Sequence, residues 1–201
     1  MPALFIAKSQ TAGKGTRGRS FYSSIGGLYM SLALKLDDAH LERLTILAAV
    51  ATAQSIERLT GKEVGIKWVN DIYLGGKKLC GILTERAENS VVIGIGVNLG
   101  VKEFPKELKD IATSLNENLV SPKKLAKEIT NRILYLLSSN EEFMQYYKEK
   151  SILIGKEISY IQNGNQYKGI AVDIDNRGAL IVKDSGENTV FLTSGDVILL
   201  K

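Results

Sequence analysis

The sequence predicts a protein of mixed helices and strands that ends in a small antiparallel β-barrel of about five strands. Three observations predict it. Apolar, β-rich runs recur at residues 3–8, 28–36, 64–83 and 90–99. Two further stretches, 41–59 and 125–137, place apolar residues mostly at helical spacing. Beyond Ile154-Gly155 the rhythm shortens, and β-rich runs at 156–161, 166–174, 179–183, 189–192 and 197–200 alternate with Asn163-Gly164, Asn176-Arg177-Gly178 and Ser185-Gly186. A barrel of fewer than about 60 residues leans on its neighbour for stability.

The first run, Ala3-Leu4-Phe5-Ile6-Ala7, leads into Ser9-Gln10-Thr11-Ala12-Gly13-Lys14-Gly15-Thr16-Arg17-Gly18-Arg19, where three glycines alternate with three cations. Glycines let successive N–H groups converge on an anion, and the fork of an arginine matches two oxygens of a phosphate or carboxylate. Gly13-x-Gly15-x-x-Gly18 formally matches a dinucleotide fingerprint, but the following residues, 19–27, lack helical periodicity. The Walker pattern fails because Gly15 follows Lys14 and Lys8 stands at the first glycine position. A solvated basic hairpin remains the alternative to an anion-holding loop.

Residues 28–36 read as a strand buried on at least one face, and Asp37 or Asp38 can cap the following helix, which Gly61 ends. Val64 to Glu85 reads as a strand, a polar break at Asn70-Asp71 and a hairpin turned at Gly75-Gly76. In the strand Val91-Val92-Ile93-Gly94-Ile95-Gly96-Val97-Asn98 the glycines leave one face bare, for a bulge, a ligand, or close packing of another element. Residues 102–118 read as a loop with a short helix. Ser121-Pro122 caps and starts a helix, and 141–150 adds a second helical piece.

Composition narrows the chemistry. Hydrophobic residues make up 44% and charged residues 24%, as in ordinary globular proteins. A net charge of +4 suits phosphate-bearing ligands and is too small to indicate nucleic acid. The one cysteine, Cys80, excludes an internal disulfide, and no run is long and apolar enough to span a bilayer, so a cytoplasmic location is expected. The one histidine, His40, is expected in solvent, with nothing nearby to build a nucleophilic triad. Catalysis then rests on charge and positioning.

Three motifs in order carry a family resemblance: Gln10-x-x-Gly13-Lys14-Gly15-x-Arg17-Gly18-Arg19; Lys67-Trp68-Val69-Asn70-Asp71 with Lys78-Leu79-x-Gly81-Ile82-Leu83-x-Glu85; and Gly94-Ile95-Gly96-Val97-Asn98. With a small barrel behind them, they resemble the biotin protein ligases. The resemblance implies an α+β catalytic domain over residues 1–153, with a mixed sheet and helices arranged as in class II aminoacyl-tRNA synthetases. It also implies an SH3-like barrel over 154–201.

The activity implied is activation of biotin with ATP and Mg2+ to biotinyl-5′-AMP, followed by transfer to a lysine of a biotin carboxyl carrier protein. Two anions must meet in such a step, so cations and N–H groups do the work and no nucleophilic side chain is needed. Carried over, Lys78 and Arg19 are the catalytic cations. Gln10, Gly13, Lys14, Gly15, Thr16, Lys78, Gly81 and Leu83 take biotin. Arg17, Arg19, Phe21, Asn70, Asp71 and Asn98 take ATP, with Asp71 also serving the metal. Trp68 is expected in the core, and Cys80 as a small buried residue.

The resemblance has departures. Val69 replaces the family's usual proline, and Thr16 stands where the family usually has an arginine contacting the intermediate. The family's Ser/Thr-Thr-Asn-type segment, one wall of the biotin pocket, has no counterpart here, which predicts weak biotin binding by an intact fold. There is no helix-turn-helix, so no DNA-binding or repressor role is expected. A homodimer is left open, as are two rival functions: a degenerate, non-catalytic ligand-binding relative and a lipoate–protein ligase-like enzyme.

Overall fold

Six strands form the first sheet: β1 (Ala3–Ala7), β2 (Leu28–Leu34), β3 (Gly65–Lys67), β4 (Asp71–Leu74), β5 (Lys77–Ala87) and β6 (Ser90–Val97), in the order β1-β2-β6-β5-β4-β3. The computed structural model describes residues 2–35, 41, 43–87, 90–116, 118–162 and 164–200. Expectations for Asp37, Asp38, His40 and Asn163 lie outside these residues. Every pair of neighbours in the sheet is antiparallel, so the expected mixing of strand directions does not occur. The reason is connectivity: short links join β4 to β5 and β5 to β6, and only antiparallel neighbours accept such links. Gly75 and Gly76 make the β4–β5 turn with φ of 57° and 78°, the left-handed pair a two-residue hairpin requires.

One face of this sheet is the core. Leu28, Met30, Leu32 and Leu34 of β2 share it with Val91, Ile93, Ile95 and Val97 of β6, all buried. Helix α1 (Leu44–Thr60) packs there and is buried along most of its length. Its small side chains admit close neighbours, and Thr52 and Ser55 satisfy their hydroxyls on the carbonyls of Ala48 and Ala51. Gly61 ends the helix in the left-handed conformation. Helix α2 (Pro122–Ser138) lies against α1 through Leu125, Ile129 and Ile133, and Ser121 caps it by accepting from the Lys124 N–H. Helix α3 (Met144–Glu149) completes this layer. The short helix expected within 102–118 is not formed; turns occupy 106–111, and Ala112 bridges to Lys78.

The C-terminal segment is a five-stranded antiparallel sheet, β10-β9-β8-β7-β11. Its strands are β7 (Glu157–Gln162), β8 (Asn165–Ile174), β9 (Leu180–Asp184), β10 (Thr189–Leu192) and β11 (Val197–Leu199). A register shift between Ala171 and Asp173 bends β8. The inner face, with Ile158, Tyr160, Ala171, Leu180 and Val182, belongs to the same continuous core as the first sheet. The two sheets also meet at Trp68, which is buried as expected and donates from Nε1 to the Gly178 carbonyl at 2.8 Å.

Candidate active site

The face of the first sheet away from the helices is the floor of a cavity of about 330 Å3. Strand registers show why it is hollow. One cross-strand row runs Ala7, Tyr29, Gly96, Gly81, Asp71, and the next runs Phe5, Ser31, Gly94, Leu83. Three glycines in adjacent positions of β5 and β6 remove side chains from the middle of the floor. The space over Gly81 and Gly96 is taken by the Phe21 ring, which a Cβ on Gly96 would approach to 2.5 Å and one on Gly81 to 3.0 Å. Tyr29 packs edge-on to that ring, with centroids 6.4 Å apart.

The basic loop is a hairpin. Gln10 N–H donates to the Ser23 carbonyl at 3.0 Å, Phe21 N–H to Gly13 at 2.8 Å and Gly15 N–H to Arg19 at 2.7 Å. Its tip, Thr16–Gly18, turns with Arg17 at φ 58° and Gly18 at φ 73°. Inside it, Gln10 Nε2 donates to Ser23 Oγ at 2.9 Å, and that hydroxyl donates to the Phe21 carbonyl at 2.8 Å. A Cβ on Gly13 would strike both the Phe21 carbonyl and Ser23 Oγ, so only glycine lets the two arms approach this closely.

Lys78 reaches the cavity through a bulge. Ile72 pairs with Cys80 but Tyr73 pairs with Lys78, which leaves Leu79 as the extra residue on β5. In a regular strand Lys78 and Gly81, three apart, would face opposite sides. The bulge turns Leu79 into the core and brings Lys78 to the same side as Gly81 and Leu83. Segment 108–113 holds this irregular backbone: Lys78 N–H donates to Ile111 at 2.8 Å, and Thr113 N–H donates to the Lys78 carbonyl at 2.9 Å. Lys78 Nζ lies 2.7 Å from Asp71 Oδ1, outside hydrogen-bond angles, so the contact is an ion pair. Asn70 is anchored beside it by donation from Nδ2 to the Ile82 carbonyl at 2.6 Å.

The structure gathers Gln10, Lys14, Gly15, Thr16, Phe21, Asn70, Asp71, Lys78, Gly81 and Leu83 around this one cavity. Gly13 sits behind the wall, as described. Arg17 and Arg19 lie outside the lining, both against Asp196 of the C-terminal sheet. Asn98 lies outside it too. It is buried where β6 has ended, donates from Nδ2 to the Thr113 carbonyl at 3.1 Å, and receives the Leu115 N–H on its own carbonyl at 2.8 Å. These bonds tie the 113–115 segment to the end of β6, and the Asn98 Oδ1 is buried without a hydrogen-bond partner.

Some cavity residues were not singled out from the sequence. Tyr29 and Ser31 were legible only as alternate members of a strand, and Phe5 and Ala7 only as neighbours of a motif, while Glu85 closes the second motif without a role assigned to it. Lys67 stands inside a motif but outside the cavity lining. Burial lowers its ammonium pKa, Asp71 opposes that, and Lys78 and Arg19 reinforce it. Burial likewise raises the Tyr29 phenol to about 12, against the opposing bond to Ser24. Cys80 is buried, and burial pushes its thiol far up, so it is an inert core residue.

Residues 1–101 match the Biotin/lipoate A/B protein ligase family, and residues 153–200 match the Biotin protein ligase C terminal domain. A bifunctional ligase/repressor BirA of Bacillus subtilis is 36% identical over 98% of this chain, which spans 66% of that relative's length. A biotin--[acetyl-CoA-carboxylase] ligase of Mycobacterium tuberculosis is 32% identical, with 98% of this chain and 79% of that protein covered. Among solved structures, biotin protein ligase from Aquifex aeolicus in complex with biotin and ATP superposes with a TM-score of 0.84 at 27% identity, covering 98% of this chain and 88% of that one.

Proposed function

Since the chain belongs to the biotin/lipoate A/B protein ligase family, we propose that it is a biotin–protein ligase, which joins biotin to ATP as biotinyl-5′-AMP and passes the biotinyl group to a lysine of a biotin carboxyl carrier protein. The observation that carries this reading is the glycine-floored cavity with the Lys78–Asp71 pair at one end. The match of residues 153–200 favours biotin over lipoate. In this reading residues 1–153 are the ligase unit, related in fold to class II aminoacyl-tRNA synthetases, and 154–201 are an SH3-like barrel.

The chemistry follows from charge. The biotin carboxylate attacks the α-phosphorus, a carboxyl oxygen–phosphorus bond forms, and pyrophosphate leaves with the electrons of the broken bond. Lys78 bridges carboxylate and α-phosphate and offsets the charge that builds between them. Lys14 and Lys67 add positive potential, Arg17 and Arg19 take the outer phosphates, and Gly81, Leu83 and Gln10 hold biotin. Phe21 stands against the adenine of ATP. The amine of the carrier lysine then attacks the acyl carbon, and AMP departs.

No cluster of three or more His, Cys, Asp or Glu side chains that could hold a metal occurs among the described residues. Mg2+ is usually held by one or two carboxylates together with substrate phosphates, and Asp71 with Asn70 fits that role. Bound there with ATP, it would neutralise phosphate charge. Biotin-dependent exchange of pyrophosphate into ATP tests the reading, because it needs pocket, metal and nucleotide together. Exchange is expected with biotin and not with lipoate. Its absence with both, in a folded protein, would leave a non-catalytic binding relative.

A further inference from the structure

Asp196 lies 177 residues along the chain from Arg19, in the turn before β11, yet its carboxylate meets both guanidinium groups of the basic hairpin. Oδ1 accepts from Arg19 Nη2, and Oδ2 lies 3.4 Å from Arg17 Nη1. These contacts hold the two arginines toward the C-terminal sheet and out of the cavity lining, while Lys14, Gly15 and Thr16 of the same hairpin stay in it. We propose that Asp196 is a built-in competitor for the nucleotide phosphates, holding Arg17 and Arg19 by the donors a phosphate would use and giving them up when ATP enters.

The proposal rests on the ligase reading above. A carboxylate oxygen and a phosphate oxygen make the same charge-assisted contact with a guanidinium, so one excludes the other at a given N–H. One carboxylate shared by two arginines leaves the pair with a net positive charge that still attracts a polyphosphate. The side chains are 36%, 45% and 59% exposed for Asp196, Arg17 and Arg19, and an ion pair so exposed is weak enough for a multiply charged anion to displace. Through this contact the C-terminal sheet would act on a cavity whose described lining it does not enter.

Titration calorimetry of the full chain with ATP tests this. Asp196→Asn keeps the size and removes the charge, and is expected to bind ATP tighter by up to about fivefold. Asp196→Ala is expected to change affinity in the same direction. In an Arg17→Ala/Arg19→Ala background, Asp196→Asn is expected to leave affinity unchanged. Equal or weaker ATP binding by Asp196→Asn, with the wild type binding normally, overturns the latch and leaves the ligase reading standing. A gain that persists without the two arginines also overturns it, since the carboxylate would then act only through its field. Failure of both proteins to bind ATP overturns the nucleotide reading and the latch together.

Discussion

Lys78 shows how much depends on one residue's direction. The motif around it was legible in the sequence, but its aim was not, because the bulge at Leu79 arises from pairing with β4 and the clamp from residues 111 and 113. Lys78→Ala is expected to slow adenylate formation by roughly 2–4 kcal/mol of transition-state stabilisation. The thermal midpoint should move little, since the Lys78 side chain is 34% exposed and its pair with Asp71 adds little to folding. Single-turnover formation of biotinyl-adenylate within a few fold of wild type would remove Lys78 from the site. Thr16 lines the cavity with a hydroxyl where the family usually has an arginine. Thr16→Arg is expected to slow release of the adenylate to solvent, measured by trapping the free intermediate. Equal release would mean that Arg17 or Lys14 already holds it.

Among elements, the basic loop was left open between an anion cradle and a solvated hairpin, and the structure makes it a hairpin whose inner side faces the cavity. The two readings are compatible, because cross-strand bonds use backbone groups and leave the Lys14 side chain to the cavity. Helix α1 is held to its surroundings through Glu57, which accepts from Lys150 Nζ at 2.7 Å, the Tyr146 hydroxyl at 2.8 Å and the Val64 N–H at 3.1 Å. Burial alone would raise this carboxyl, but the bonds outweigh it and hold it below its usual 4.5. The unfolded chain therefore binds this proton more readily than the folded one. The resulting stability is complete above pH 4.5 and is lost as pH falls through the lower folded value. Urea midpoints measured between about pH 3 and 6 should rise with pH in the wild type and rise less in Glu57→Gln. Parallel curves would assign the acid sensitivity to other carboxylates.

For the whole molecule, the decisive fact is that the C-terminal sheet is packed onto the first one at the motif itself. The Trp68 indole donates to Gly178, and a side chain on Gly178 would collide with Ile46 of α1. Trp68→Phe removes the donor and strands a carbonyl, so a loss of about 1–3 kcal/mol is expected in chemical denaturation, with earlier amide exchange in the 175–179 turn. An unchanged midpoint would show that the sheets are not coupled through the indole. Features that depend on near neighbours can be read directly along the chain. These are the helical spacing of 41–59 and 125–137, the Ser121-Pro122 start, the left-handed Gly75-Gly76 turn, the cationic glycine loop, and the five short runs after Ile154. Local backbone preference and side-chain periodicity act over a few residues, so a single sequence displays them. Long-range pairing and packing set the antiparallel order of the first sheet, the inward turn of Lys78, the seat of Phe21 on Gly81 and Gly96, the burial of Asn98 away from the cavity, and the approach of Asp196 to Arg17 and Arg19. Each of these depends on groups distant in the chain, whose contact energies exist only once the sheets have paired and packed.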